Sequence, residues 1–265
     1  MMEPWQAIVA LIQGLVEWLP ISSEGQVALF VYNFTTVPTE DLITLVVWLH
    51  LGTALAVIAR YPRLILDMLT LKDRRLFRIV ILATVCTTVT AIPLYIFLKG
   101  SLTVIQGELI NILVGVLLLV TAFVLYLPTR SVETNHGDQA EEVTDKNASI
   151  AGLVQGFAVL PGLSRSGVTI SSLLMLKVNK EDALRFSFLI SVPAVLGILA
   201  AELITGSAAL PSIAPIDLLL MEIIVFITGL GSMEFLLRIA RRVEFWKLCL
   251  LLASIAILFG LPALF

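Results

Sequence analysis

Arg165 stands between Ser164 and Ser166 in an otherwise apolar stretch, and a helix is expected to begin directly after it. A guanidinium fork, two hydroxyls and the free N–H groups of a helix N-terminus are together suited to a phosphate. An arginine at bilayer depth also costs at least roughly 2.5–3.5 kcal/mol on insertion scales, so it demands an anion. Glu17 is the nearest match in kind, and an internal Arg165–Glu17 ion pair that merely locks two segments is the competing reading. Both hold if the pair forms only while no ligand is bound. Glu17 lies beside Ser22 and Ser23. Its carboxylate is suited to act as a base, to hold a divalent cation (Mg or Ca), or to balance Arg165. Gln13, four residues earlier on the same helical face, can hydrogen-bond Glu17 or a ligand. Glu24 adds a second carboxylate, either functional or a wet position facing outward.

His50 is the other titratable candidate. It lies ten residues into the apolar stretch 41–60, near the middle of a membrane. An ionisable residue there is a functional candidate by default, against the alternative of a neutral ring bonded to a backbone carbonyl. His136 lies in a polar loop and is read as solvated. Glu202 and Glu222 are placed about one turn from the outer ends of their spans, at the interface. Glu234 and Arg238, four apart, read as a surface pair. Asn147-Ala148-Ser149 fits a glycosylation sequon, but the loop is expected to be cytoplasmic, so it is set aside.

The elements that must position these residues are membrane helices. The chain is 58% hydrophobic and 14% charged over 265 residues, with a mean hydropathy of +1.01. That balance is that of a polytopic membrane protein. The formal charge of -3 says little about partners, and nothing points to nucleic acid. Cys86 and Cys249 both lie in apolar stretches, which argues against a disulfide framework and leaves no metal spacing. The first residues lack the basic region of a cleaved leader.

Six stretches are long enough to span the bilayer: 41–60, 76–98, 109–127, 186–204, 217–237 and 245–265. Two others are too short. They end in matching segments 142 residues apart, Gln13-Gly14 to Leu19-Pro20-Ile21-Ser22-Ser23 and Gln155-Gly156 to Leu160-Pro161-Gly162-Leu163-Ser164. Limbs at 5–18 and 149–160, returning through 23–34 and 166–177, are expected to form two re-entrant helical hairpins. Three spans separate the hairpins, an odd number, so the second half is inverted relative to the first. The fold class is therefore all-α, an inverted-topology repeat of about six transmembrane helices plus two hairpins. It forms one membrane domain over 1–265: repeat one 1–127, a polar loop 128–148 and repeat two 149–265. Of the 17 Lys and Arg, 15 fall on one face by parity, Lys99 alone on the other, and Arg165 in the hairpin. The positive-inside rule puts the 15 in the cytoplasm, both termini outside, and the chain in the plasma membrane.

The segments Glu17-Trp18-Leu19-Pro20-Ile21-Ser22-Ser23 with Gly25, and Pro161-Gly162-Leu163-Ser164-Arg165-Ser166-Gly167-Val168-Thr169-Ile170, resemble the two signatures of the undecaprenyl-diphosphate phosphatase (bacitracin-resistance) family. Leu51-Gly52 and Phe186 to Gly197 are also similar to it, so the likeness spans nearly the whole chain. It implies removal of one phosphate from a polyprenyl diphosphate, giving the carrier lipid of envelope glycans. It also implies that Arg165, Ser164 and Ser166 hold the diphosphate, and that Ser23, with Ser22 nearby, is nucleophile or phosphate ligand. The partners implied are the polyprenyl lipid and the surrounding membrane. The chain departs from the family pattern where Gln13 replaces a Glu, Gln26 a His and Glu24 a Thr, while His50 stands where Gln is usual. Gln26, left as a substrate contact, cannot act as a base, so His50 or Glu24 is expected to substitute. Otherwise the protein is a polyprenyl-phosphate flippase of the same fold. Oligomeric state is not legible.

Overall fold

A computed structural model describes residues 2–35, 39–102, 109–132, 142–205, 213–239 and 244–261. Every regular element among them is helical. The order is α1 (Pro4–Val16), α2 (Ser23–Phe34), α3 (Thr39–Arg60), α4 (Pro62–Leu69), α5 (Arg74–Leu102), α6 (Leu109–Val132), α7 (Asp145–Gly156), a 3-10 turn (Phe157–Val159), α8 (Arg165–Met175), α9 (Lys180–Thr205), α10 (Pro215–Ile239) and α11 (Phe245–Gly260).

Four helices are long and apolar enough to cross a membrane: α5, α6, α9 and α10. The α3–α4 pair, bent by 89°, makes a fifth if counted as one span. The bend falls at Tyr61-Pro62, where Pro62 has no N–H to continue the ladder. Of the six expected spans, 245–265 is helical only over Phe245–Gly260, and residues beyond Leu261 lie outside the described ones. The four short limbs appear as α1, α2, α7 and α8. At about 1.5 Å per residue, the 13 residues of α1 reach only part way across a bilayer. The loop expected at 128–148 is shortened by helix at both ends, because α6 runs to Val132 and α7 starts at Asp145. The sequon residue Asn147 is buried in the first turn of α7, where its N–H donates to the Thr144 cap. His136 lies outside the described residues.

The outer surface is greasy. Along α5, Val85, Val89, Ile96 and Phe97 are all more than half exposed, a stripe fit only for lipid. Inside, helices pair through small residues. α1 packs on α10 and α7 on α5, while α3 meets α9 and α6 meets α11. A Cβ on Gly14 would stand 1.9 Å from Thr228 Oγ1, and one on Gly156 would stand 1.9 Å from Thr90 Oγ1. Such close approach is the usual basis of helix association in lipid, where burial of apolar surface gives no driving force.

Both glutamates expected near span ends are packed by protein. Glu202, in the last turn of α9, is 2% exposed. Glu222 sits two turns into α10 and turns its carboxylate to α3, with Oε2 2.8 Å from where a Gly52 Cβ would stand. Only glycine at 52 leaves room for it. The Glu234–Arg238 surface pair forms at 3.5 Å and is extended by Arg60, whose Nε donates to Glu234 at 3.2 Å.

Gly14→Ala and Gly156→Ala should each lower the thermal unfolding midpoint in detergent, since overpacking costs about 1–3 kcal/mol. Thr90→Ala should return part of the loss in the Gly156→Ala background. Unchanged midpoints in both glycine variants would show that these helix pairs do not depend on close approach.

Candidate active site

α1 runs out at Glu17 because Leu19-Pro20 cannot extend it, and the chain turns through Ser22 into α2. Ser22 adopts φ 59°, a left-handed backbone that L-residues rarely take without compensation. Its hydroxyl supplies that compensation. It accepts the N–H of Gly25 at 3.2 Å, capping α2, and the N–H of Gly162 at 3.1 Å, from the other tip. Gly162 has φ +107° and lies so close to α6 that a Cβ would be 2.8 Å from the Val114 carbonyl. The second tip is built the same way. Ser164 caps α8 by accepting the Gly167 N–H at 3.2 Å, and its own N–H donates to Thr121 Oγ1 on α6 at 3.1 Å. The two tips therefore meet inside the bundle.

Between them lies Glu17, 5% exposed. One carboxylate oxygen accepts from Arg165 in a short charge-assisted bond. The other accepts from Ser23 Oγ at 2.5 Å and from Gln13 Nε2 at 2.8 Å. Arg165 is the first residue of α8, and its guanidinium sits 5.5 Å from the Trp18 ring centre, a cation–π contact. Trp18 is itself fixed by donating Nε1–H to the Gly229 carbonyl at 2.9 Å and by the Phe188 edge at 4.9 Å. The Arg165 NH1 nitrogen is buried with no protein partner, a donor waiting for an acceptor.

His50 enters from α3. Its Nδ1 is 2.6 Å from the Val46 carbonyl, which makes Nδ1 the N–H donor. Its Nε2 points to Glu17 at 3.4 Å and to Glu24 at 3.6 Å. The ring is thus anchored on a carbonyl while its other nitrogen faces the site. Two carboxylates therefore face one imidazole nitrogen.

Glu17, Ser22, Ser23, Glu24, His50, Ser164 and Arg165 line one cavity of about 350 Å³. Glu24 turns into it rather than outward, with its side chain 28% exposed. Three candidates are not brought to the cavity wall. Gln26 donates to the Ile21 carbonyl at 3.2 Å, so its amide is spent on its own turn. Gln13 acts through Glu17. Ser166 bonds Leu19 O at 3.3 Å and Ser164 Oγ at 3.2 Å, tying tip to tip. Thr121 and Gly162 were not foreseen as site builders. Gly162 carried a signal, a glycine after Leu-Pro, whereas one threonine among many in α6 carried none.

A transmembrane bundle whose two tips enclose a carboxylate, hydroxyls, an imidazole and a guanidinium has the makings of a lipid-phosphate enzyme. The chain belongs to the family described as bacitracin resistance protein BacA, whose model matches residues 6–258. Relatives named undecaprenyl-diphosphatase include one from Methanothrix thermoacetophila, 40% identical over 97% of this chain and 96% of its own length. One from Methanopyrus kandleri is 38% identical, covering 98% and 97%. One from the bacterium Treponema denticola is 34% identical, covering 91% and 90%.

Arg165→Lys should lose nearly as much turnover as Arg165→Ala, because a point charge does not reproduce a fork held against both Glu17 and a phosphate. Turnover of polyprenyl diphosphate in detergent, with folding checked by gel filtration, decides this. A near-normal Lys variant would show that charge alone suffices.

Proposed function

We propose that this protein hydrolyses an undecaprenyl-type polyprenyl diphosphate to the monophosphate and inorganic phosphate. The reading extends to recycling the carrier lipid of envelope glycans in the plasma membrane and to bacitracin resistance. The observation that carries it is one carboxylate shared between a serine and an arginine: Ser23 Oγ donates to Glu17 at 2.5 Å while Arg165 holds the other oxygen. The terminal phosphate takes Arg165 NH1 and the Ser164 hydroxyl. Ser23 Oγ attacks its phosphorus as Glu17 accepts the hydroxyl proton, and the bond to the polyprenyl monophosphate breaks, with Arg165 stabilising the charge that develops. A water then attacks the phosphoserine and gives its proton to His50 Nε2, which releases it to solvent water after phosphate departs. Glu17 returns its proton to Ser23, and inorganic phosphate leaves. The relatives' shared name supports hydrolysis over a flippase, as does the alignment of hydroxyl, carboxylate and imidazole, which mere carriage does not need.

The donor set at Glu17 does not fit a resident divalent cation such as Mg or Ca, because both carboxylate oxygens are taken by a guanidinium, an amide and a hydroxyl. Among the described residues, no three His, Cys, Asp or Glu are arranged to hold a metal.

Purified protein should release phosphate from undecaprenyl diphosphate; binding without release would instead make it a carrier. His50→Gln should lower kcat by about 10²–10⁴-fold, the worth of a positioned base, while binding survives. An unaltered rate would remove His50 from the mechanism.

We further infer that the fold is an inverted repeat with both termini outside. The mirrored pairings α1 on α10 and α7 on α5, with Gly14 and Gly156 in like positions, support it. With Cys86 and Cys249 replaced, a Thr36→Cys variant should react with an impermeant thiol reagent on intact cells, and a Lys177→Cys variant should not. Equal labelling of both would end the inverted arrangement.

A further inference from the structure

The cavity has two chemically different ends. At one stand Glu17, Ser23 and Arg165; away from them it continues as a groove walled by α5 and α9. The α5 wall reads as polar in the sequence, with Thr84, Thr87 and Thr88, yet none of these hydroxyls faces the groove unpaired. Thr84 donates to Val80 O at 2.7 Å, Thr88 to Thr84 O at 2.9 Å, and Thr87 to Ala83 O at 2.9 Å. Thr87 also bonds Gly152 O at 3.0 Å and accepts from Gln155 Nε2 at 3.0 Å, so the polar atoms of this wall are already committed within the protein. From Thr84 to Tyr95 this wall runs about 16 Å at 1.5 Å per residue.

The α9 wall carries small residues that leave space, Ala194, Gly197 and Ala201. At Gly197 the contrast with the structural glycines is complete. Nothing lies within 4 Å of where its Cβ would be, whereas Gly14 and Gly156 each meet a neighbour at 1.9 Å. Gly197 is therefore not required by helix packing. Its missing side chain is groove space.

We propose that the α5–α9 groove holds the isoprenoid chain of the substrate next to its diphosphate, and that Gly197 sets the bulk of chain that can pass. This rests on the phosphatase reading for the headgroup. The chain is the occupant because the groove opens directly from the phosphate-binding end, is apolar along both walls, and is long in one dimension. Ala28, Val46, Val47 and Ile110 also line the cavity, but the α5–α9 side is the longer of the two and has open space at Gly197 for a chain to occupy.

Gly197→Trp puts bulk into the groove at a position outside the headgroup residues. The measured quantity is kcat/KM for undecaprenyl diphosphate divided by that for isopentenyl diphosphate. The ratio should fall at least about tenfold, chiefly through KM for the long chain, as steric exclusion from an apolar pocket gives. An unchanged ratio, or equal losses on both substrates, overturns the proposal. A prenyl diphosphate carrying a diazirine on its chain gives the independent arm. It should label peptides of α5 and α9 in the wild type and much less in Gly197→Trp. This readout needs no turnover, so labelling without phosphate release would fail the phosphatase reading and leave the groove assignment standing. Absence of label on both helices, or competition by excess phospholipid as effective as by undecaprenyl diphosphate, refutes a dedicated prenyl groove.

Discussion

A carboxylate and a guanidinium that begin 148 residues apart hold the two hairpin tips together inside the bundle. Each is nearly buried, and each is intolerable there alone. Removing one partner of such a pair typically costs about 3–5 kcal/mol, because the other is left as an uncompensated charge. The rest of the site is arranged around that necessity. Ser22 accepts a strained backbone to bind Gly162, Ser166 reaches the Leu19 carbonyl, and Trp18 lies under the guanidinium. None of these contacts makes sense unless the tips must be fixed to within a fraction of an ångström.

The two tips are built alike and charged unlike. Each has a serine cap, a proline before it and a glycine nearby, and each is preceded by a Gln-Gly pair against a partner helix. The first carries the acid and the hydroxyl, and the second carries the cation. α3 then adds an imidazole with no counterpart in the second half. Backbone likeness supplies the enclosure, and the difference in side chains supplies the chemistry.

The parts of this site legible in the sequence were those whose presence in lipid is costly. Arg165, Glu17 and His50 stand out in apolar stretches, and depth along a span was enough to bring His50 to the tips. Legibility ended where side-chain direction decides. Gln26 sits one turn after Ser23, yet its amide turns to Ile21. Gln13 and Ser166 support the site from behind. Glu222 counted as interfacial from its distance along the chain, but a glycine on the neighbouring helix lets its carboxylate lie inside. The bend at Tyr61-Pro62 was hidden because the loop after the span was read from its charge alone. Helix positions came from hydropathy and proline; helix pairing came from glycines whose partners lie in the other half of the chain.

The separation of Glu17 from Arg165 has a consequence for biogenesis. During synthesis α1 and α2 enter the bilayer long before Arg165 is made. In that interval the groups near Glu17 are Gln13, Ser23, Glu24 and His50, all from the first half of the chain. They offer the carboxylate hydrogen-bond donors, but none is a guanidinium or ammonium with a permanent positive charge. When the second hairpin arrives, the guanidinium supplies that charge, and the tip acquires its counter-ion and its affinity for anions together. A half-made chain therefore lacks the cation its ligand needs, and the contact that joins the two tips is also the one that completes the anion site.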